Sequence, residues 1–327
     1  MHVLRACGRK FDYMVGSHID GFDTMVGLSD DSEIAVFEGD EYLTSALDRR
    51  PKFHLYKPDI AVLNGIAWDH KNVFPTFGNY LDQFRIFVNK IPDNGTLIYF
   101  EEDAEVKSIA AEAESRIRTI PYRVHSYFQD DNDFYLRTGN MSVPLHVFGE
   151  HNMQNLSAAR EACIASGIGE EDFYRAIRDF RGTAKRLQKL VDNDKGIVYL
   201  DFAHSPSKVK ATVDAVVLRH PGRQVIACLE LHTYSSLSHD FLTQYKGTMN
   251  KATCSFVYFN PHAIAMKKLE PLSKEYVAEA FESTNLTVHN SSCELFSDII
   301  DRGFSKPVFL FMSSGDFDGL NLSLVLS

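Results

Sequence analysis

Short apolar runs that stop at polar residues alternate along this chain with segments of helical spacing. Residues 33–37 lead into the acidic sequence Glu38-Gly-Asp-Glu41, and residues 59–63 lead into the polar stretch that begins at Asn64. Such runs are typical of strands buried on both faces of a parallel sheet. In open α/β sheets, ligands bind beyond the carboxyl ends of the strands. The sequence therefore predicts an α/β fold with functional residues at 38–41 and 64–70.

The spacing of apolar residues changes further along the chain. Residues 122–147 alternate in polarity, which predicts a small antiparallel layer. The polar run at 189–195 is the best linker candidate, and after it the α/β rhythm restarts and continues to residue 312. We expect two domains. Residues 1–188 would hold a parallel sheet with the antiparallel layer, and residues 189–327 a Rossmann-like, doubly wound α/β domain.

Composition limits the classes of function. The net charge of −10 argues against a protein that binds nucleic-acid backbones, but it leaves room for a nucleotide neutralised locally by Mg²⁺. The five cysteines are scattered and form no C-x-x-C pair, which favours a reduced, cytoplasmic setting. No export signal is visible, and no apolar run approaches the ~20 residues needed to span a bilayer. We therefore expect a cytoplasmic protein without membrane insertion.

Two residues at the predicted strand ends are candidates for a metal site. Glu38 leaves a strand in an acidic group, and Mg²⁺ prefers one or two carboxylates together with phosphate oxygens and water. The alternative is a solvated loop whose acids cap helices. His70 follows Asp69 in a loop, where a single histidine is more often a hydrogen-bonded structural residue.

A helix with an amide-rich start is the candidate for a nucleotide site. His151, Asn152 and Asn155 follow Gly149, and the two asparagines are three positions apart, hence on one helix face. An asparagine amide can pair with both the N6 donor and the N7 acceptor of a purine. The alternative is a helix cap together with a surface amide.

Further candidates lie near and after the predicted linker. The guanidinium of Arg186 suits a phosphate, although a surface arginine near a linker is the simpler alternative. Asp201 and His204 end the first strand of the second domain, and His232 and Ser235 follow the end of the next. A general-base role for His204 is chemically possible, but we favour a positioning role.

Together these motifs resemble the Mur ligase family, whose members use ATP to join amino acids or peptides to UDP-N-acetylmuramate. The resemblance is greatest to the muramate-alanine ligase and murein-peptide ligase branches. It implies that Mg²⁺ binds Glu38 and His70, and that Arg186 contacts phosphate. It also implies that the adenosine of ATP lies against His151, Asn152, Asn155 and Asp201. The incoming amino acid or peptide would face His204, His232 and Ser235.

The chain departs from the family's pattern in two respects. The resemblance begins after the family's phosphate-binding loop, and no G-x-x-x-x-G-K-[ST] sequence is present. Because that loop stabilises phosphoryl transfer, we expect this polypeptide alone to be inactive. Thr233 and Ser236 stand where the muramate-alanine branch has arginines, which favours a peptide over free alanine. Two alternatives are a related ligase such as folylpolyglutamate synthase and a non-catalytic module that binds nucleotide or wall precursor.

Overall fold

The computed structural model describes residues 1–16, 19, 21–68, 71, 73–113, 115–131 and 133–326. The chain divides into two compact units, Met1–Arg181 and Gly182–Ser327. This division falls a few residues before the boundary that the sequence predicts. Each unit has its own sheets and its own core. Among the described residues, no helix has the length and apolar character needed to cross a bilayer.

Unit 1 begins with a small sheet that carries the acidic strand end. Its elements are α1 (His2–Ala6), β1 (Phe11–Met14), β2 (Val26–Gly27) and β3 (Ile34–Phe37). The strand order is β2-β1-β3, with β1 antiparallel to β2 and parallel to β3. The prediction that β3 is buried on both faces is wrong. Its residues alternate between half-buried and exposed, and Phe37 is 48% exposed, because β3 pairs only with β1 in the described part of the chain.

A second sheet of unit 1 is parallel and covered on both faces. It consists of β4 (Ile60–Leu63), β5 (Thr96–Phe100) and β6 (Arg118–Tyr122) in that order. Alternate strand residues pack in opposite directions. Ala61, Leu63 and Leu97 join the core formed with α2 (Phe77–Val88) and α3 (Ala104–Ala113), whereas Ile98 and Tyr122 pack with α4 (Glu150–Ala165). Helices on both faces explain why these strands are predominantly apolar.

The predicted antiparallel layer is confirmed. It is a meander of β7 (Tyr127–Asp130), β8 (Asp133–Thr138) and β9 (Met141–Leu145). Helix α4 follows it, and then α5 (Glu170–Ile177) completes unit 1. Gly149 stands at the N-cap of α4 with φ of +90°, a left-handed conformation that favours glycine.

Unit 2 is the predicted Rossmann-like α/β domain. Its strands are β10 (Gln188–Asn193), β11 (Gly196–Asp201), β12 (Val225–Leu231), β13 (Cys254–Phe259), β14 (Leu286–His289) and β15 (Val308–Met312). The order is β10-β11-β15-β12-β13-β14, and only the edge strand β10 is antiparallel to its neighbour. The helices are α6 (Pro206–Arg219), α7 (His239–Leu242), α8 (Pro261–Met266), α9 (Lys274–Phe281) and α10 (Ser292–Asp301).

Two sequence predictions for unit 2 are wrong. The linker candidate at 189–195 lies mostly in β10, because Leu190 and Val191 pack against the core and Asn193 closes a tight turn into β11. The α/β rhythm also predicts a helix at 240–250, but the structure has only the short α7, followed by one 3-10 turn, and the chain then turns at Gly247 with φ of +69°.

Candidate active-site residues at the strand ends

The three acids after β3 have different surroundings. Lys52 Nζ lies 2.6 Å from Asp40 Oδ2, and the Tyr80 hydroxyl donates to Glu41 Oε1 at 3.2 Å. Glu38 is exposed, and its Oε2 accepts a hydrogen bond from the backbone N–H of Gly16 at 2.6 Å. No ion pair of Glu38 lies among the described residues. Of the three, Glu38 therefore has the carboxylate best suited to a cation.

The predicted second metal ligand, His70, and its neighbour Asp69 lie outside the described residues. The loop that leads to them is held from two sides. Ile66 N–H donates to Asp103 Oδ2 at 2.9 Å, and Trp68 Nε1 donates to the Phe74 carbonyl at 3.0 Å. In the part of the chain that is described, no group of three or more His, Cys, Asp or Glu side chains is arranged to hold a metal.

A cluster of polar side chains joins the ends of β4 and β6 to α4; we call it the amide cluster (Asn64, Tyr122, Gln154 and Asn155). Asn64 Nδ2 donates to Asn155 Oδ1 at 3.2 Å, and the Tyr122 hydroxyl donates to Asn64 Oδ1 at 2.7 Å. Gln154 Nε2 donates to the Asn64 carbonyl. Burial raises the pKa of the Tyr122 hydroxyl well above its ordinary value, so it remains a donor.

Tyr122 and Gln154 are not among the residues predicted from the sequence. Tyr122 is the last residue of a parallel strand and Asn64 directly follows another, and that similar position is the signal that would have identified Tyr122. Gln154 is adjacent to Asn155 on α4, but nothing in the spacing distinguishes it from a solvated helix residue.

The two asparagines of the predicted adenine site have different partners. Asn152 Nδ2 lies 2.7 Å from the Phe148 carbonyl and 3.2 Å from His151 Nε2. These two contacts use both amide hydrogens of Asn152 and leave its carbonyl oxygen as an acceptor. Asn155 is exposed, and its oxygen already accepts from Asn64, so its NH₂ group is the part suited to an external acceptor. One amide thus offers an acceptor and the other a donor.

In unit 2, Asp201 is an inward-facing carboxylate at the end of β11. Only 4% of it is exposed, and it accepts hydrogen bonds from Leu187 N–H (2.7 Å), Ala203 N–H (2.7 Å) and the Thr212 hydroxyl (3.3 Å). Its predicted contact with a ribose stays a prediction. The observed contacts show what it does within the protein, which is to hold two backbone segments together.

One of those segments displays Arg186. Lys185 and Leu187, on either side of it, have φ values of +55° and +46°, a left-handed conformation that costs about 1–2 kcal/mol for a residue other than glycine. Arg186 is exposed, and its guanidinium carbon lies 5.4 Å from the centroid of the Phe202 ring. The bond from Leu187 to Asp201 therefore stabilises a strained turn that presents a cation to solvent.

The three remaining predicted residues, all in unit 2, differ in exposure. His204 is half-buried, with Nδ1 2.9 Å from the Phe202 carbonyl, and the side chain of His232 is 44% exposed. Ser235 is only 3% exposed, which disfavours its predicted contact with a substrate. Ser236, in one of the two positions compared with arginines, is also buried, and its hydroxyl pairs with that of Thr233 at 3.0 Å.

A buried carboxylate that the sequence analysis missed lies beneath His232. Glu230 is 3% exposed, its Oε2 accepts from the Ser313 hydroxyl and from Phe317 N–H (2.9 Å), and its Oε1 is 3.5 Å from His232 Nδ1. Gly315 leaves no space here, since an added Cβ would lie 2.9 Å from both Glu230 Oε2 and His232 Nδ1. Glu230 thus fixes the ends of β12 and β15 against each other. A lone acid inside the apolar run 225–231 was its only sequence signal.

Comparison with known proteins gives these geometries a context. Residues 14–163 match the Mur ligase middle domain. The UDP-N-acetylmuramate–L-alanine ligase of Desulfitobacterium hafniense is 27% identical over 61% of this chain and 46% of its own length. The UDP-N-acetylmuramate–L-alanyl-gamma-D-glutamyl-meso-2,6-diaminoheptandioate ligase of Haemophilus influenzae is 25% identical over 99% of this chain and 71% of its own length. The chain thus spans about half of the first relative.

Solved structures show the same fold. A murein peptide ligase from Psychrobacter arcticus has a TM-score of 0.66 at 20% identity, covering 99% of this chain and 73% of that one. MurF from Acinetobacter baumannii has a TM-score of 0.76 at 17% identity, covering 99% and 72%. Folylpolyglutamate synthase from Mycobacterium tuberculosis has a TM-score of 0.68 at 11% identity, covering 99% and 86%. Residues 14–163 are thus similar in sequence to the Mur ligase middle domain, and the chain shares the fold of the solved Mur ligases.

Proposed function

We propose that this chain provides the ATP·Mg²⁺ site and the site for the incoming amine in a ligase that forms an amide bond on UDP-N-acetylmuramate. The observation that carries the proposal is the amide cluster. It lies within the matched middle domain, at the carboxyl ends of two parallel strands, where α/β proteins bind ligands.

Unit 1 would hold the nucleotide and the metal. The exposed carboxylate of Glu38 fits Mg²⁺, which takes one or two carboxylates and fills its shell with phosphate oxygens and water; His70 would be the second protein ligand. When bound, Mg²⁺ would neutralise charge on the phosphates. The carbonyl of Asn152 would accept from the adenine N6 group, and the NH₂ of Asn155 would donate to N7, with His151 beside them.

Unit 2 would receive the amine. In the proposed reaction the lactyl carboxylate of UDP-N-acetylmuramate takes the terminal phosphoryl group of ATP, and ADP leaves. The amine then attacks the acyl phosphate, the amide bond forms and phosphate is released. His204 and His232 would orient the amine component, and Arg186 would contact phosphate. Asp201, proposed to reach the ribose, holds the turn that carries Arg186.

A peptide is the favoured amine component. The alanine branch places arginines where this chain has Thr233 and Ser236, and here those two side chains bond to each other. Without a guanidinium at either position, this loop offers no bidentate partner for the carboxylate of a free amino acid. The folylpolyglutamate synthase alternative shares only the fold.

We also propose that this polypeptide by itself binds nucleotide without turnover, because it contains no G-x-x-x-x-G-K-[ST] sequence. Calorimetric titration with a non-hydrolysable ATP analogue and Mg²⁺ tests the binding, and a phosphate-release assay tests the absence of turnover. We expect binding, and an approximately tenfold loss of affinity in Asn155→Ala, equivalent to about 1.4 kcal/mol. Asn140→Ala, an exposed asparagine in the turn between β8 and β9, is the control. Absence of binding would refute the nucleotide site, and phosphate release with the muramyl substrate and a peptide would refute the predicted inactivity.

A further inference from the structure

A recess lies in unit 1 beside the C-terminal half of α2. It has a volume of about 440 Å³, and its lining includes Arg49, Arg50, His54, Ile86 and Lys90. Among the described residues, no acidic side chain lines it. In a chain with a net charge of −10, a recess lined by three cationic side chains is a candidate site for an anion. We call it the cationic cavity.

The cations of the cavity differ in how they are held. Arg50 forms a two-pronged contact with Asp48, Nε to Oδ1 at 2.9 Å and Nη2 to Oδ2 at 2.7 Å, so its orientation is fixed and its charge is compensated. The same contact lowers the pKa of Asp48 to about 2. Arg49 and Lys90 have no ion pair among the described residues, and both are exposed. The cavity therefore carries two uncompensated positive charges.

His54 provides a neutral wall of the cavity. It is 8% exposed, and its Nε2 lies 2.9 Å from the carbonyl of Gln83 on α2. Burial is the largest influence on its pKa and lowers it, and the neighbouring positive charges of Lys90 and Arg50 lower it further. An anion placed among these cations would oppose their effect. The pKa of His54 should therefore rise when an anion binds in the cavity.

We propose that the cationic cavity binds a compact dianion of the phosphate class through Arg49, Arg50 and Lys90. Guanidinium and ammonium groups bind phosphate oxygens through charge-assisted hydrogen bonds, and a dianion matches the two uncompensated charges better than a monoanion does. The exposed side chain of Ile86 leaves an apolar rim beside the charges, which accommodates the organic part of a phosphate monoester. Nothing in this site uses Glu38 or the amide cluster.

The cavity is connected to the acidic strand end by one short 3-10 turn, Lys52–Leu55. His54 lies against the cavity, whereas Lys52 binds the Asp40 carboxylate and Phe53 N–H donates to the Asp40 carbonyl at 3.1 Å. An anion that shifts the positions of Arg50 and His54 would therefore be sensed at residues 38–41. This coupling rests on the proposed role of Glu38; the binding of the anion does not.

Titration calorimetry with inorganic phosphate, phenyl phosphate and acetate at matched ionic strength tests the proposal. We expect both phosphates to bind and acetate to bind far more weakly. Arg49→Ala and Lys90→Ala should each weaken phosphate binding about tenfold, as the loss of one charge-assisted contact predicts. Lys107→Ala, which removes an exposed lysine of α3, should leave it unchanged. Tighter binding of phenyl phosphate would identify an ester as the ligand, and equal binding would identify the free ion.

An NMR titration of His54 gives a second, independent measurement. Phosphate should raise the pKa of His54 in the wild-type chain and leave it unchanged in Arg49→Gln/Lys90→Gln, whose folding is checked by circular dichroism. Undiminished phosphate affinity in that folded double variant, or equal affinity for acetate, would overturn the proposal. Asn155→Ala should keep phosphate binding at this cavity. A failure of the nucleotide proposal is therefore distinguishable from a failure of this one.

Discussion

Asn64 and Asn155 are 91 positions apart in the chain, yet the amide of Asn64 donates to the side-chain oxygen of Asn155 at 3.2 Å. The same Asn64 side chain accepts from Tyr122, so the ends of the two outer strands of the sheet, β4 and β6, meet helix α4 at one side chain. This arrangement fixes the orientation of the Asn155 amide before any ligand binds. Such pre-orientation lowers the entropic cost of binding.

Asn64→Ala should therefore weaken nucleotide binding about tenfold, although Asn64 is not proposed to contact the base. It should also lower the free energy of unfolding by about 1–2 kcal/mol, because Tyr122 and Asn155 both lose a partner. Tyr122→Phe keeps the bond between the two asparagines and should cost about 1 kcal/mol of stability with a smaller effect on affinity. Calorimetry and urea unfolding measure both quantities. Unchanged affinity in Asn64→Ala would show that the pairing is only structural.

Gly315→Ala should destabilise the protein by about 1–3 kcal/mol, because the new methyl group would overlap Glu230 and His232. The matched substitution is Gly78→Ala in α2, where the added atom meets nothing within 4 Å. That variant should stabilise the helix by about 0.5–1 kcal/mol. Thermal unfolding of the two variants should shift in opposite directions. A neutral Gly315→Ala would mean that His232 moves aside freely.

Asp201→Asn should lower the free energy of unfolding by about 2 kcal/mol or more. The carboxylate accepts hydrogen bonds from the backbone N–H groups of Leu187 and Ala203. In the asparagine variant an NH₂ group would replace one of the carboxylate oxygens and would lie against one of the N–H donors, so that a hydrogen bond is lost. In the wild-type chain the carboxylate of Asp192 pairs with Lys189 on the surface. Asp192→Asn should therefore lower the free energy of unfolding by less than about 0.5 kcal/mol. Urea unfolding compares the two. Similar losses in both would contradict the bracing role of Asp201.

Stability should fall as the medium is acidified, in part through His220. Burial, followed by the charges of Arg219 and Arg223, lowers the pKa of His220 to about 4, and its Nε2 lies 3.1 Å from the Tyr199 hydroxyl. In the unfolded chain its pKa is about 6.5, so the unfolded state binds the proton more tightly. The free energy of unfolding should drop between these two pKa values, by at most about 1.4 kcal/mol per pH unit from this group. His220→Gln should reduce that slope; an identical slope would exclude the contribution.

The sequence predicted the elements whose apolar runs are long and unbroken. Strands β11, β12, β13 and β15 fall where the runs lie, since these strands are almost wholly buried. The edge strand β10 was mistaken for a linker, because only Leu190 and Val191 face apolar neighbours. Helix α3 and strand β6 were missed, since their polar residues hide the apolar ones that pack inward.

The sequence offered some residues of the candidate site as candidates, but not Tyr122, Gln154 or Glu230, and not the contacts between the side chains. Glu38, Asn64 and Asp201 could be selected individually because each lies at or directly after the end of a predicted strand. The sequence could not show that Glu38 is distinct from Asp40 and Glu41, because the partners Lys52 and Tyr80 come from elsewhere in the fold. Nor could it show that Asp201 points inward. Burial and pairing depend on which segments meet, and no local pattern encodes that.

The bond between Leu187 and Asp201 also determines how the second half of this protein can be isolated. A polypeptide cut at the boundary expected from sequence, 188/189, would lose Leu187 and leave one oxygen of a buried carboxylate without its backbone donor. It would also remove the first residue of β10. A polypeptide that starts at Gly182 keeps both. Residues 182–188 are therefore an integral part of the second unit, whose fold they stabilise, and not a linker between the two units.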